Sequence, residues 1–301
     1  MSGLKSLDLE GIADYIKTGK AKKVIVMTGA GISVSAGIPD FRTPGTGLYY
    51  NVQKYNLDQP EQVFDIDYFQ ENPKPFYEVA KGIYPGQFHP TKTHYFIRLL
   101  AQHGILLRNF TQNIDTLEQI AGIPKDKLVF AHGSFASAHC IKCKKEYSSE
   151  EVRKKIFNDE TVKCSKCDGY VKPDITFFGE NLPQRFFEHL TDFDDCDLLI
   201  VIGTSLVVKP FSTLISYVDK DVPRLLINME KVGSKGEPPK DPKKLETYKN
   251  NYLFAFDDPN NNRDVFYKGS CDEAVEKLAD LLGWRLELEE MFEAPFNPIK
   301  N

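Results

Sequence analysis

The sequence predicts a doubly wound α/β fold, in which helices cover both faces of a largely parallel β-sheet. Short apolar runs recur along the chain with amphipathic helical patterns between them, an alternation typical of this architecture. Several of the runs are continuously apolar, as is expected of parallel strands covered on both faces. The chain has 301 residues, of which 41% are hydrophobic and 27% are charged, so it can bury a sizeable core.

These patterns predict six strands and five helices. The strands are expected at 24–28, 105–110, 128–131, 198–203, 224–228 and 265–267, and the helices at 9–17, 93–102, 184–190, 211–218 and 272–282. Two insertions interrupt the alternation: 43–92 is rich in Pro, Gly, Tyr and Phe, and 134–172 carries four of the six cysteines. Segment 231–263 predicts a long surface loop, and the acidic stretch 286–301 predicts a peripheral tail.

The first strand runs into a glycine turn, Thr28 to Ser33, that half-matches a dinucleotide-binding fingerprint. Closely spaced glycines after a buried strand let backbone N–H groups approach a pyrophosphate where a helix begins. A hydride-transferring enzyme would have a third glycine at position 34 and an acidic residue about 20 positions further on. Position 34 is Val, and the charged and aromatic residues Asp40, Phe41 and Arg42 follow soon after. The turn therefore predicts nucleotide binding and disfavours a dehydrogenase.

Polar residues follow four of the other predicted strands. Ligands of open α/β sheets lie at the carboxyl ends of the strands, so these residues are expected to surround one crevice. A lone histidine is more often structural, but His132 follows a strand directly, and its ordinary pKa near 6.5 suits a general base. The other histidines are expected to be structural or at the surface. The polar residues are Thr111, Gln112, Asn113 and Asp115, then His132, then Gly203, Thr204 and Ser205, then Asn228 and Glu230.

Two CxxC pairs, Cys140 with Cys143 and Cys164 with Cys167, have the spacing of a four-thiolate zinc site. A disulfide framework is the alternative, but it fits poorly with a chain that shows no secretion signal. A closed shell of four thiolates leaves no open coordination position, so the zinc is expected to stabilise the fold and not to catalyse. The remaining cysteines, Cys196 and Cys271, are expected to be buried free thiols.

Net charge and hydropathy exclude several classes of partner. The net charge of −5 favours neither nucleic acid nor an anionic membrane. The most apolar stretch, 198–208, is too short to cross a bilayer. Acidic residues stand where the apolar part of a secretion signal would lie. We therefore expect a reducing compartment, the cytoplasm or also the nucleus, with no direct contact to nucleic acid or membrane.

Taken together and in this order, the motifs resemble those of the sirtuin family of NAD-dependent protein lysine deacylases, from about residue 20 to 285. Gly45–Tyr49, Phe177–Glu180 and the 231–263 loop are most similar to the cytoplasmic branch that deacetylates tubulin and histones. The motifs that carry the resemblance are Gly29–Ser33, Gly37–Arg42, Thr111–Asp115, His132-Gly133, the cysteine quartet, Lys172–Glu180, Gly203–Ser205 and Gly269–Cys271.

The resemblance implies a large Rossmann-like domain formed by residues 1–42, 93–133 and 173–301. It also implies a smaller domain built from a helical module with a cofactor loop, 43–92, and a zinc-binding module, 134–172. NAD and acyl-lysine would meet in the cleft between the two domains.

The resemblance also implies the reaction. The acyl oxygen would attack the ribose carbon that bears nicotinamide, and the acyl group would pass to ADP-ribose with release of nicotinamide. NAD is then consumed as a co-substrate, and one zinc ion is structural. The substrates would be acyl-lysine proteins or peptides, such as histone and tubulin tails; the oligomeric state is left open. The alternatives are mono-ADP-ribosyl transfer to protein and a non-catalytic zinc-ribbon interaction module.

By the same resemblance, each motif takes a role. His132 would be the general base, with Asn113 and Asp115 as further catalytic residues. NAD would be bound by Gly29, Ala30, Gly31, Ile32, Ser33, Val34, Asp40, Phe41, Arg42, Gln112, Asn113, Ile114, Asp115, Gly203, Thr204, Ser205, Asn228, Met229, Glu230 and Cys271. The peptide would add as a strand along Ile175, Thr176, Phe177, Phe178, Gly179 and Glu180.

The sequence departs from the family's pattern at two positions. Val34 stands where many relatives have a small hydroxyl residue, and Met229 where Lys is common; neither change removes a catalytic group. Relatives that remove acidic acyl groups use a Tyr and an Arg shortly after the Phe-Arg motif. Here no Arg occurs between Arg42 and Arg98, so succinyl-lysine is expected to be a poor substrate.

Overall fold

The computed structural model of the protein describes residues 3–38, 48–239, 246–248 and 252–295, with the backbone alone at 48–51. The predicted NAD-binding residues Asp40, Phe41 and Arg42 lie outside the described residues. The strands are β1 Val24–Thr28, β2 Leu106–Thr111, β3 Leu128–Phe130, β4 Gly133–Cys140, β5 Glu146–Tyr147, β6 Val171–Ile175, β7 Leu198–Ile202, β8 Arg224–Asn228 and β9 Asp264–Lys268.

The larger sheet confirms the predicted doubly wound architecture. Its strand order is β3-β2-β1-β7-β8-β9, and every pairing is parallel. After β3 the chain crosses to the far side of β1, so the strand order reverses between β1 and β7. In open α/β sheets a crevice forms at such a reversal, beyond the carboxyl ends of the strands. The glycine turn that follows β1 begins at this point.

Alternate residues along the strands of the larger sheet pack into two separate hydrophobic cores, one on each face. Val26 and Ile200 point into the core beneath one set of helices, whereas Met27 and Val201 point into the core on the opposite face. The α-helices are α1 Leu9–Lys17, α2 Ile66–Glu71, α3 Lys74–Ile83, α4 Lys92–Gln102, α5 Leu117–Ile120, α6 Ser149–Phe157, α7 Gln184–Glu188, α8 Cys271–Leu282 and α9 Arg285–Glu293.

Two of the helical expectations were wrong in detail. The predicted helix 211–218 is a 3-10 helix, Phe211–Ser216, and the predicted helix 184–190 ends at Glu188, before a 3-10 helix at Leu190–Asp195. The expected peripheral tail is in part a packed helix, because Leu288 of α9 is fully buried against the core formed with α4 and α8. Because α9 is rich in Glu, the sequence did not indicate this apolar face.

A second sheet, in the order β5-β4-β6, belongs to a smaller unit with its own core. The core combines the helical insertion with the cysteine-bearing insertion and is rich in aromatic rings. The ring centroids of Phe76 and Phe177 are 4.8 Å apart, and those of Phe69 and Phe177 are 5.6 Å apart. β6 crosses the boundary predicted between residues 172 and 173, so it connects the smaller unit to the segment expected to bind the peptide.

A buried ion pair holds the predicted 231–263 loop at residues 252–253. The guanidinium of Arg224 lies 2.6 and 2.7 Å from the two carboxylate oxygens of Asp264. It also donates hydrogen bonds to the carbonyls of Tyr252 and Leu253. Residues 240–245 and 249–251 of the loop lie outside the described residues. Among the described residues, no helix has the length and apolar character needed to span a membrane.

Candidate active site

The glycine turn after β1 is fixed by its contact with the end of β7. The N–H of Gly31 donates a hydrogen bond of 2.8 Å to the carbonyl of Gly203. A Cβ atom on Gly29 would lie 2.7 Å from the Cβ of Thr204, so a side chain at position 29 would collide with this strand end. The turn continues as a 3-10 helix, Ala30–Ala36, on which Val34 is 52% exposed. This arrangement leaves a backbone cradle of the kind that accepts a phosphate group.

A buried hydrogen-bond network joins the glycine turn to the polar residues after β2. The hydroxyl of Ser33 donates to a carboxylate oxygen of Asp115 at 2.7 Å. The other oxygen of this carboxylate accepts the N–H of Leu117 at 2.9 Å. The Asn113 amide donates to the carbonyl of Gly29 at 3.1 Å and lies 3.3 Å from the Ser33 hydroxyl. Burial raises the pKa of Asp115, and its two hydrogen bonds oppose this shift. The structure therefore brings together three residues that the sequence singled out.

His132 lies at the end of β3, on the same edge of the sheet. Its Nδ1 is 3.2 Å from the carbonyl oxygen of Gln112. Because a carbonyl only accepts, this contact places the ring proton on Nδ1 and leaves Nε2 with a free lone pair. Burial lowers the pKa of His132, so the ring is neutral at physiological pH. The side chain of Gln112 in turn accepts the hydroxyl of Thr204 at 2.6 Å, which links β2 to β7.

The segment expected to bind peptide is anchored by a largely buried lysine. The ammonium of Lys172 lies 2.9 Å from the Glu180 carboxylate and donates to the carbonyl of Ile175 at 2.6 Å. It also lies 4.4 Å from the ring centroid of Phe177, whose N–H donates to Glu180 at 2.9 Å. Burial lowers the pKa of Lys172, and the charge of Glu180 opposes the shift. The Glu180 side chain is thus engaged within the protein.

The backbone of Phe178 is also held in place. Its N–H donates to the carbonyl of Phe64 at 2.7 Å, and its carbonyl accepts the N–H of Ile66 at 3.1 Å. These bonds tie the segment to the helical insertion, while the ring of Phe178 remains 46% exposed. Next to it, Gly179 has a φ of +89°, a conformation that favours glycine. A peptide would therefore meet a fixed backbone and an exposed aromatic ring.

Several of the residues expected to bind NAD follow β7, β8 and β9. The side-chain amide of Asn228 donates to the backbone carbonyl of Glu230 at 2.9 Å, and the backbone carbonyl of Asn228 accepts the N–H of Gly269 at 3.2 Å. Met229 is 62% exposed and Ser205 is exposed as well. Cys271 begins α8, and burial raises the pKa of its thiol to about 12, so it stays protonated. The strand order places these residues along one edge of the sheet.

The four predicted zinc ligands cluster in the smaller unit. The sulfurs of Cys140 and Cys167 are 3.5 Å apart, and those of Cys143 and Cys164 are 3.6 Å apart. All four sulfurs lie within 4.8 Å of one another. A tetrahedral zinc with Zn–S bonds of 2.3 Å separates its sulfurs by about 3.8 Å, so the residues fit the metal. Cys196 is buried and separate, as the sequence predicted.

Three residues beside the site belong to no recognisable sequence motif. The ring centroid of Phe211, which is fully buried, is 6.4 Å from that of His132. His94 and Glu118 are fully buried next to Asp115. The sequence predicts His94 only as structural or at the surface, and Glu118 stands in a short helix without any recognisable pattern.

Comparison with known proteins agrees with this geometry. The profile of the Sir2 family matches residues 29–210. The NAD-dependent deacetylase sir2A of Dictyostelium discoideum is 54% identical over 293 residues, which cover 96% of this chain and 54% of that protein. The NAD-dependent protein deacetylase sirtuin-2 of Danio rerio is 51% identical over 295 residues, or 96% of this chain and 75% of that protein. The hst2 deacetylase of Schizosaccharomyces pombe is 46% identical, with coverage of 96% and 80%. The chain thus spans about half the length of the first relative and more of the others.

Proposed function

Because the chain belongs to the Sir2 family, we propose that it is an NAD-dependent protein lysine deacetylase that transfers the acyl group to ADP-ribose and releases nicotinamide. The observation that carries this proposal is the junction of the glycine turn with the buried Ser33–Asn113–Asp115 network, on the same sheet edge as His132. The relatives named above are described as NAD-dependent deacetylases, which supports the same activity.

In this proposal the chain's own residues bind and orient both substrates. The backbone of the turn holds the pyrophosphate around Ala30, since the N–H groups of Gly29, Gly31 and Ile32 already bond within the protein. Ser33, Asn113 and Asp115 orient the ribose. NAD supplies an activated ribose carbon that accepts the acyl oxygen. The free Nε2 of His132 accepts a proton from a ribose hydroxyl, which its neutral state at physiological pH permits.

The protein substrate would add as an extended strand beside this segment, with its backbone bonds made at Gly179, because the N–H and the carbonyl of Phe178 are already paired. We propose acetylated lysines in exposed tails, of the histone and tubulin type, because recognition through backbone bonds tolerates many sequences. We also propose a preference for acetyl and longer apolar acyl groups over succinyl, since no Arg lies between Arg42 and Arg98 to pair with an acidic acyl group.

The experiment incubates the protein with NAD and matched acetyl-lysine or succinyl-lysine peptides, and measures nicotinamide release and peptide mass. We expect loss of the acetyl mass, abolished by His132→Ala and retained by His89→Ala, which changes an exposed histidine. Faster removal of succinyl would overturn the acyl preference. Nicotinamide release with a mass gain on protein would instead indicate ADP-ribosyl transfer, and NADH absorbance a dehydrogenase. A complete lack of turnover would favour an interaction module.

We further propose that the protein works in a reducing compartment, the cytoplasm or the nucleus. The proposal is supported by the cysteine cluster, because four thiolates bind zinc only while they remain reduced. Imaging of the tagged full-length protein tests it, and retention in the secretory pathway would contradict it.

A further inference from the structure

A cluster of three titratable side chains lies beneath the glycine turn. One ring nitrogen of His94 and one carboxylate oxygen each from Asp115 and Glu118 lie within 4.8 Å of one another. His94 and Glu118 are fully buried, and Asp115 is only 6% exposed. Two carboxylates this close cannot both be ionised without a large cost when water is excluded.

The hydrogen bonds distinguish the two carboxyl groups. Both oxygens of Asp115 accept hydrogen bonds, one from Ser33 and one from Leu117, as suits an anion. In Glu118 one oxygen, Oε1, accepts the hydroxyls of Thr111 and Thr28. The other, Oε2, is buried and has no hydrogen-bond partner among the described residues. An ionised Glu118 would leave this buried oxygen charged and without a donor, so the neutral, protonated form is favoured.

His94 is neutral and therefore does not balance the negative charge of the neighbouring carboxylate. Its Nδ1 accepts the backbone N–H of Thr91 at 3.1 Å, so the ring proton of neutral His94 lies on Nε2. That Nε2 also has no partner among the described residues. Burial lowers the pKa of His94 to about 3, in spite of the nearby negative charge of Asp272 on α8. Asp272 is the further charged group that faces this cluster among the described residues, and it already accepts the N–H of Thr93.

We propose that Glu118 carries a proton at neutral pH and is a positioning residue, so that only Asp115 of the two neighbouring carboxyl groups beneath the NAD-binding turn is an anion. The proposal rests on the proposed function, since it assumes that the turn holds NAD. When Glu118 loses its proton, a second negative charge faces Asp115 and disturbs the hydrogen bond from Ser33. Burial and the charge of Asp115 raise the pKa of Glu118 to about 8, so this loss occurs in mildly alkaline solution.

The test compares the wild-type protein with Glu118→Gln, which mimics the protonated side chain. The NAD dissociation constant is measured by calorimetry from pH 6 to 9. We expect it to rise roughly tenfold for the wild type above pH 8, the factor that one pKa unit of coupling represents, and to stay level for Glu118→Gln. Glu71→Gln, which changes an exposed carboxyl in α2, serves as the matched control and should behave as the wild type.

Thermal unfolding gives a second readout that does not need NAD. In the unfolded chain Glu118 has the ordinary glutamate pKa of 4.5, whereas in the folded protein its pKa is about 8. The wild type therefore loses stability as the pH rises from about 4.5 to about 8, because the unfolded state alone releases the proton. Glu118→Gln lacks this loss, so its Tm relative to the wild type should increase across the same range.

The proposal would be overturned if the wild type and Glu118→Gln showed the same pH dependence of Tm and the same pH dependence of NAD affinity. If Glu118→Gln does not fold, infrared spectroscopy of the wild type decides, since a buried protonated carboxyl has its own carbonyl band. That band should be present at pH 7 and lost by pH 9, and its absence at pH 7 would overturn the proposal. If the wild type binds no NAD at any pH, the proposed function fails. The Tm and the infrared band then still test whether Glu118 is protonated.

Discussion

Gly31 and Gly203 lie so close that a Cβ atom on Gly31 would be 2.7 Å from the Cα of Gly203. The reverse holds as well, because a Cβ on Gly203 would lie 2.7 Å from the backbone nitrogen of Ile32. Both contacts are with backbone, which cannot rotate away as a side chain can. The second glycine of the fingerprint is therefore required by the packing of β1 against β7, in addition to any contact with a phosphate.

We predict that Gly31→Ala displaces the turn, destabilises the protein by about 1–3 kcal/mol and weakens NAD binding strongly, because overpacking against backbone forces the chain to move. Denaturant unfolding and calorimetry with NAD measure the two effects. The control is Gly104→Ala, at a φ of +72°, where an added Cβ atom would meet no other described residue within 4 Å; this change costs about 1–2 kcal/mol of backbone strain. NAD affinity lowered equally by both changes would contradict the prediction.

The six strands of the larger sheet could be predicted from the sequence because burial on both faces makes several of them continuously apolar. β1 and β8 have the predicted bounds, and the other four of these six differ by one residue at one or both ends. The strands β4, β5 and β6 of the smaller sheet were not predicted. The helix 211–218 was predicted with the wrong geometry, since the same apolar spacing suits a short 3-10 helix such as Phe211–Ser216. The buried face of α9 was missed because its single core residue, Leu288, stands among glutamates.

The site residues that belong to short motifs could be predicted, whereas polar residues that lie buried beneath the site could not. Asn113 and His132 each lie two residues after a strand, and topology alone places them at one edge. Glu118 and His94 are polar residues in helices, and such residues are ordinarily exposed. Their burial depends on how α4 and α5 pack beneath the turn, which is a tertiary property that no local pattern reports.

We predict that zinc removal unfolds the cysteine-bearing insertion. The wild type should contain one zinc per chain, and Cys143→Ala should contain little. Because Cys140 and Cys164 belong to the aromatic core of the smaller unit, losing the metal should also lower Tm and activity. Elemental analysis and thermal unfolding measure these effects. Cys196→Ala, which changes a buried thiol outside the cluster, should keep its zinc; full activity of a zinc-free preparation would contradict the prediction.

We predict that Lys172→Met destabilises the protein by about 1–3 kcal/mol, because it leaves the Glu180 carboxylate partly buried without its cation. The segment from Ile175 to Glu180 should loosen, so KM for an acetyl peptide should rise more than KM for NAD. In a double-mutant cycle, Lys172→Met with Glu180→Gln should cost less than the sum of the single changes.

The control for this pair is Lys163→Met, which removes an exposed ion pair with Asp168 at 3.2 Å. Exposed pairs contribute about 0–1 kcal/mol, so this change should leave stability and both KM values nearly unaltered. Strict additivity in the Lys172 and Glu180 cycle would show that the two side chains do not interact, and would refute the anchoring role.

We predict that His94 makes the fold sensitive to acid. In the unfolded chain a histidine takes up a proton near pH 6.5, but burial lowers the pKa of His94 to about 3 in the folded protein. The unfolded state therefore binds the extra proton as the pH falls below 6.5, and the folded state loses about 1.4 kcal/mol of stability per pH unit from this residue. His94→Asn keeps an acceptor for the N–H of Thr91 and cannot titrate. Its stability should fall less steeply between pH 6.5 and 4, measured by denaturant unfolding, and identical slopes for the wild type and His94→Asn would exclude His94 as the cause.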